Sequence, residues 1–103
     1  METMACGVPT VLSANTDHMD IISGDNCNAL NDQRQVKISP GWKGVEGWGE
    51  SLVEEIIDTL ETIYHDREEA LKRGTRGAEM IIKKRSWVQC AQRFTEVVQK
   101  FID

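Results

Sequence analysis

Met1-Glu2-Thr3-Met4-Ala5-Cys6-Gly7-Val8-Pro9-Thr10-Val11-Leu12 reads as the end of a helix, a tight turn and a short buried strand. Met1 to Cys6 are helix-compatible. Gly7 is the residue type expected just past a helix end, where a left-handed backbone costs glycine almost nothing. Pro9 forbids the helix to resume and pushes Val8 towards extended geometry. Thr10-Val11-Leu12, β-branched and apolar, is then long enough only for a short interior strand. Glu2 therefore sits on the last turns of a helix packed beside a strand.

Working outward, Ser13-Ala14-Asn15-Thr16-Asp17 is a polar, turn-forming stretch at the carboxyl end of that strand. In open α/β sheets ligands gather beyond the carboxyl ends of strands, so Asn15 and Thr16 are candidate binding residues. The competing reading, and the favoured one, is structural: Thr16 or Asp17 starts a short helix over His18-Met19-Asp20-Ile21-Ile22 as its cap. Gly24-Asp25-Asn26 is a turn by composition, and Cys27-Asn28-Ala29-Leu30 is predicted to pair as a second strand beside Thr10–Leu12.

Residues 31–48 are the least regular part, with Pro40, Gly41, Gly44, Gly47 and two tryptophans. A loop of that length in a small unit is either functional or ordered on a partner domain. Trp42 and Trp48 have faces suited to a sugar or a base, but burial against the body, or against neighbouring structure outside the chain, is the favoured reading. Val36-Lys37-Ile38 alternates as an edge strand would.

From Glu50 onward the chain is helical. Ser51-x-x-Glu54 is a capping box, and Val53, Ile56, Ile57, Leu60, Ile63 and Tyr64 form one apolar stripe behind it. The carboxylates of Glu54, Glu55, Asp58 and Glu61 read as a solvated face. Asp66-Arg67-Glu68-Glu69 opens a second helix, with Ala70, Leu71, Gly74, Ala78, Ile81 and Ile82 predicted inward. Gly74 and Gly77 weaken a helix interior by about 1 kcal/mol each, which predicts a close crossing there. Ser86-Trp87-Val88-Gln89 is a third capping box. It opens a last helix with Val88, Ala91, Phe94, Val97, Val98 and Phe101 on one stripe.

Composition bounds the function. A chain of 103 residues is a single unit at most, divisible into a strand and loop part over 1–48 and a helical part over 49–103. Twelve basic against seventeen acidic residues give a net charge of -5, which argues against a nucleic-acid or anionic-membrane surface. Lys83-Lys84-Arg85 falls at a helix carboxy terminus, where cations complement the dipole. No apolar run approaches a membrane span and no signal peptide precedes the body, so the expected location is cytoplasmic. Cys6, Cys27 and Cys90 lack paired spacing and read as free, mostly buried thiols; with His18 and His65 isolated, no metal site is expected.

Glu2-x-Met4-Ala5-Cys6-Gly7-x-Pro9 with its apolar strand resembles the signature near the carboxy-terminal end of the group 1 retaining glycosyltransferases, two-domain enzymes of the GT-B fold. Asp20-Ile21-Ile22, then Gly24-Asp25-Asn26-Cys27-Asn28-Ala29-Leu30, resembles the family's next helix and strand, with Asn28-Ala29 where Asn-Gly is usual. Ser86-Trp87 resembles the Ser-Trp opening its last helix. The resemblance implies a partial Rossmann-like α/β unit, helix-rich with two or three short strands. It implies transfer of a sugar from a nucleotide-sugar donor to an acceptor hydroxyl, with Glu2 on the donor ribose and no further cofactor. The family's first glutamate and pyrophosphate-binding residues would lie before Met1. No catalytic residue is therefore assigned within the chain, and the isolated polypeptide is expected to be inactive. The alternative is a non-catalytic helical interaction module, forming a homo-oligomer through exposed stripes such as Phe94, Val98, Phe101 and Ile102.

Overall fold

The turn that opens the chain forms as the sequence predicts. In the computed structural model, which describes residues 1–102, helix α1 (Glu2–Ala5) is closed by Gly7 N–H bonding Met4 O at 2.9 Å and Val8 N–H bonding Thr3 O at 3.1 Å. Gly7 takes φ +73°, the left-handed conformation anticipated for it. Strand β1 (Val11–Ser13) follows and pairs in parallel with β2 (Asn28–Leu30), with Leu12 opposite Ala29. Both strands lie within a residue of their predicted places.

Between them, Thr16–Asp20 forms a single 3-10 turn where a short helix was expected, and no side chain caps it. The predicted edge strand at Val36–Ile38 is displaced to Gln33–Gln35, β3, which pairs antiparallel with β4 (Gly49–Ser51). The architecture is mixed α/β with two separate two-stranded sheets, one strand more than expected.

Three long helices complete the fold: α2 (Val53–His65), α3 (Arg67–Lys84) and α4 (Trp87–Ile102). Two of the three predicted caps form. Asp66 Oδ1 accepts from Glu69 N–H at 3.1 Å, and Ser86 and Gln89 exchange the reciprocal bonds of a capping box. Ser51 does not cap α2. It belongs to β4, and its hydroxyl is shared with Ser13 Oγ at 2.7 Å and Gln33 Nε2 at 2.7 Å. Tertiary bonds to β1 and β3 outcompete the local cap.

The crossing predicted at the glycines of α3 is present. Gly74 lies against the Gly7 backbone, and a Cβ on Gly77 would come within 2.7 Å of Asn26 O. Met4, Cys27 and Ile81 form the core beneath this crossing, with Leu12, Ile21, Ile22 and Met80 packed around them. Leu71 and Ile82, expected inward, are exposed instead, because the close backbone approach selects the small face of α3.

The remaining apolar stripes are split or bare. On α2, Ile56 and Ile63 turn half-buried towards the body, while Val53, Ile57, Leu60 and Tyr64 face out. No residue of α4 is buried, and only Gln89 and Val98 are even half-buried. The chain is correspondingly open, with a radius of gyration of 16.9 Å against about 13 Å for a packed domain of this length. No described helix is long and apolar enough to cross a membrane.

Candidate functional site

The carboxyl end of β1 is tied to the second sheet by a polar network. Asn15 Nδ2 donates to Gln33 Oε1 at 2.6 Å and to Gly49 O at 3.0 Å, and Gln33 Nε2 donates in turn to Leu30 O at 2.9 Å. Ala14 N–H bonds Leu30 O at 2.9 Å and extends the parallel pairing by one residue. These bonds join the loop after β1 to the β3–β4 ribbon. Asn15, Thr16, Asp17, Trp48 and Gly49 thereby surround one hollow of about 390 Å³.

Two of the three binding residues expected from the sequence meet there. Asn15 spends both amide hydrogens inside the protein, so it positions the loop. Thr16 is exposed and donates its hydroxyl to Asn15 Oδ1 at 3.1 Å. Its backbone holds φ +45°, and it is the one non-glycine residue with positive φ among the described residues. A β-branched residue resists that region, so the conformation is imposed by its surroundings. His18 Nδ1 lies 3.1 Å from Ser13 O, and no carboxylate among the described residues is paired with it.

Trp48 is 46% exposed at this hollow and Trp42 is 63% exposed, so neither tryptophan is buried against the body of the chain. Val45, 6% exposed, is the loop's buried anchor instead. Three glycines at positive φ, Gly41, Gly44 and Gly47, let the chain reverse around it. Spacing alone gave no signal that a lone valine would be preferred to the larger rings.

Glu2 stands apart from the hollow. Its side chain is open to solvent and pairs with the Met1 ammonium at 3.3 Å. Its own backbone N–H, and then that ammonium, hold its carboxyl below the usual carboxylate range. The cleft wall expected beside it is absent among the described residues, since α1 presents Met4 to the core and leaves Glu2 on its outer side.

A larger hollow, about 480 Å³, lies between β2, α2 and α3. Its carboxylates, Asp58 excepted, are committed internally. Glu55 accepts from Asn31 N–H and Asp32 N–H, Asp66 caps α3, and Glu69 pairs with Arg73 at 3.3 Å and Arg76 at 2.7 Å. Arg73 also donates to Cys27 O, and Arg76 to Asp25 O. The seam leaves Asn28 Nδ2 buried without a partner. An acidic lining with a single arginine repels a diphosphate, which disfavours this seam as a donor site.

The basic cluster around Lys72, Arg73 and Arg76 is wholly engaged with these carboxylates and with Glu68. Among the described residues no three His, Cys, Asp or Glu side chains converge where a metal ion would sit. Cys27 is buried, while Cys6 and Cys90 are exposed, against the expectation of mostly buried thiols. Comparison with protein-family models, with curated proteins and with solved structures yields no match to the chain.

Proposed function

We propose that this chain is the carboxy-terminal part of a retaining, GT-B-type glycosyltransferase that moves a sugar from a nucleotide donor to an acceptor hydroxyl. The observation that carries this reading is the strained backbone at Thr16, beyond the carboxyl end of a parallel strand and facing the hollow with Trp48. Strain held at such a place is the mark of a segment shaped for a ligand. The parallel pairing of β1 with β2 behind the Gly7–Pro9 turn fits the same family resemblance.

The hollow's chemistry suits the nucleoside end of the donor. Trp48 offers a stacking face, Thr16 a hydroxyl with free lone pairs, and Asp17 a carboxylate for ribose or base donors. Nothing cationic lines it, so the donor's diphosphate would be neutralised by residues outside this chain. Glu2, exposed and ionised, is available to accept ribose hydroxyls once a neighbouring segment closes over α1. Catalysis in such a site rests on positioning and on stabilising the leaving diphosphate, which this chain alone does not supply.

Titration of isotopically labelled protein with uridine, adenosine and guanosine diphosphates tests the reading. At least one nucleotide should shift the Trp48 indole resonance and the amides of residues 13–17, with no turnover of the corresponding nucleotide sugars. Absence of shifts with all three, or shifts confined to the seam at Arg73, overturns it.

A further inference from the structure

The two apolar stripes that the fold leaves bare have matching periodicity. On α2, Val53, Ile57, Leu60 and Tyr64 recur at alternating spacings of four and three, and all are at least half exposed. On α4, Trp87, Cys90, Phe94, Val97 and Phe101 recur at spacings of three and four, and all are exposed. Each is the seam of a seven-residue repeat, the pattern by which helices pack knobs into holes.

Their flanks are opposite in charge. Glu54 and Glu61 follow the fourth position of each α2 repeat, and Arg93 and Lys100 precede the first position of each α4 repeat. In a parallel pair of helices those flanking positions face one another, whereas an antiparallel pair sets them apart. None of the four has an ion pair or hydrogen bond among the described residues. Among the described residues these charges have no partner within one chain; between two chains, Arg93 and Glu61 can meet.

The exposed area is of the size that association covers. The chain presents 7915 Å² of accessible surface for a mass of 11.6 kDa, where a packed monomer of that mass presents about 5,800 Å². The excess, roughly 2,000 Å² per chain, falls in the range that obligate homodimers bury. Beside Tyr64 the α2 stripe opens into a mostly apolar hollow of about 400 Å³, lined by Pro9, Leu60, Ile63, Tyr64 and Leu71 and by Arg67, whose guanidinium lies over the Tyr64 ring at 5.3 Å.

We propose that the outward stripe of α2 is the docking surface for α4 of a second copy of this chain, packed parallel and exchanged reciprocally in a two-fold dimer. In the register that overlaps all four α2 layers, Phe94 meets Ile57, Phe101 meets Tyr64 at the hollow, and Arg93 faces Glu61. The pairing is independent of the nucleotide hollow, whose residues it does not touch.

The test is a charge exchange read by sedimentation equilibrium on the full chain, with circular dichroism to verify helix content. The wild-type chain should be a dimer. Glu61→Lys and Arg93→Glu should each weaken it, by roughly tenfold in dissociation constant or more, because like charges then face each other at both contacts. An equimolar mixture of the two variants should restore the dimer, since each α2 then meets an α4 of opposite charge; that recovery also shows both variants folded. A wild-type chain that stays monomeric at its solubility limit overturns the proposal, as do single variants that dimerise like wild type. So does ready formation of a Cys90–Cys90 disulfide within the native dimer, which would pair α4 with α4.

Discussion

Gly74 of α3 is pressed against the carbonyl of Gly7, so that the turn ending α1 and the middle of α3 touch backbone to backbone. A methyl group at Gly74 has nowhere to go, because the atom it meets is main chain. Ordinarily glycine-to-alanine in a helix gains about 1 kcal/mol. Here overpacking should reverse the sign, with a net loss of about 1–3 kcal/mol. Gly74→Ala should therefore lower the midpoint of thermal unfolding by several degrees, about 4–8 °C per kcal/mol at this chain length. A raised midpoint would mean that α3 does not cross the turn this closely.

The same contact marks what could be read in the chain beforehand. The Gly7–Pro9 turn and the crossing at Gly74 and Gly77 follow from local chemistry: a left-handed cap, a residue that cannot continue a helix, two weak points in an otherwise strong helix. The cap at Ser51 and the burial of the tryptophans against the body do not form, because both places are decided by residues far away in sequence. Ser13 and Gln33 claim the Ser51 hydroxyl, and Val45 takes the buried place offered to Trp42 or Trp48. Of the site, Asn15 and Thr16 were legible as a polar loop after a strand. That Trp48 would join them depends on the β3–β4 ribbon, which no periodicity announced.

Thr16 carries its strain whether or not a ligand is present. A β-branched residue in the left-handed region costs about 1–2 kcal/mol, whereas glycine occupies it freely. Thr16→Gly should thus unfold at or above the wild-type temperature despite losing the bond to Asn15, while Thr16→Val should unfold below it. The two variants should differ by about 1–2 kcal/mol in denaturant unfolding. Equal stabilities would indicate that the loop relaxes out of this conformation in solution.

Cys27, 2% exposed in the core, should impose an alkaline limit on stability. Burial raises its thiol above the ordinary value of 9.0, with the Arg73 guanidinium opposing the shift only in part. The neutral thiol is the form the fold accepts, so this contribution is complete below the unfolded-state value. It is lost as pH climbs from there towards the folded-state value. The wild-type chain should lose stability as pH rises above 9.0 more steeply than Cys27→Ala, compared by thermal unfolding at alkaline pH. Parallel profiles would mean that Cys27 ionises as readily in the fold as in the unfolded chain.

Asn15 should prove to be a hinge pin whose loss is felt in the ribbon more than at the loop itself. Its amide is the donor to both Gln33 Oε1 and Gly49 O, while Gln33 keeps its own amide hydrogens on Leu30 O and Ser51 Oγ. Truncation in Asn15→Ala leaves two acceptors in a half-buried place without their donor, a cost of about 1–3 kcal/mol. The short β3–β4 pairing has little else to hold it, since isolated two-stranded ribbons are marginal in water. Hydrogen exchange at residues 33–35 and 49–51 should accelerate in Asn15→Ala, with exchange in α3 following only the global loss of stability. Trp48 should then leave the hollow and its indole resonance move towards that of the unfolded chain. Unchanged protection in the ribbon would show that Ser13 and Ser51 alone suffice to join the two sheets, and would return Asn15 to the loop as a residue free to meet a ligand.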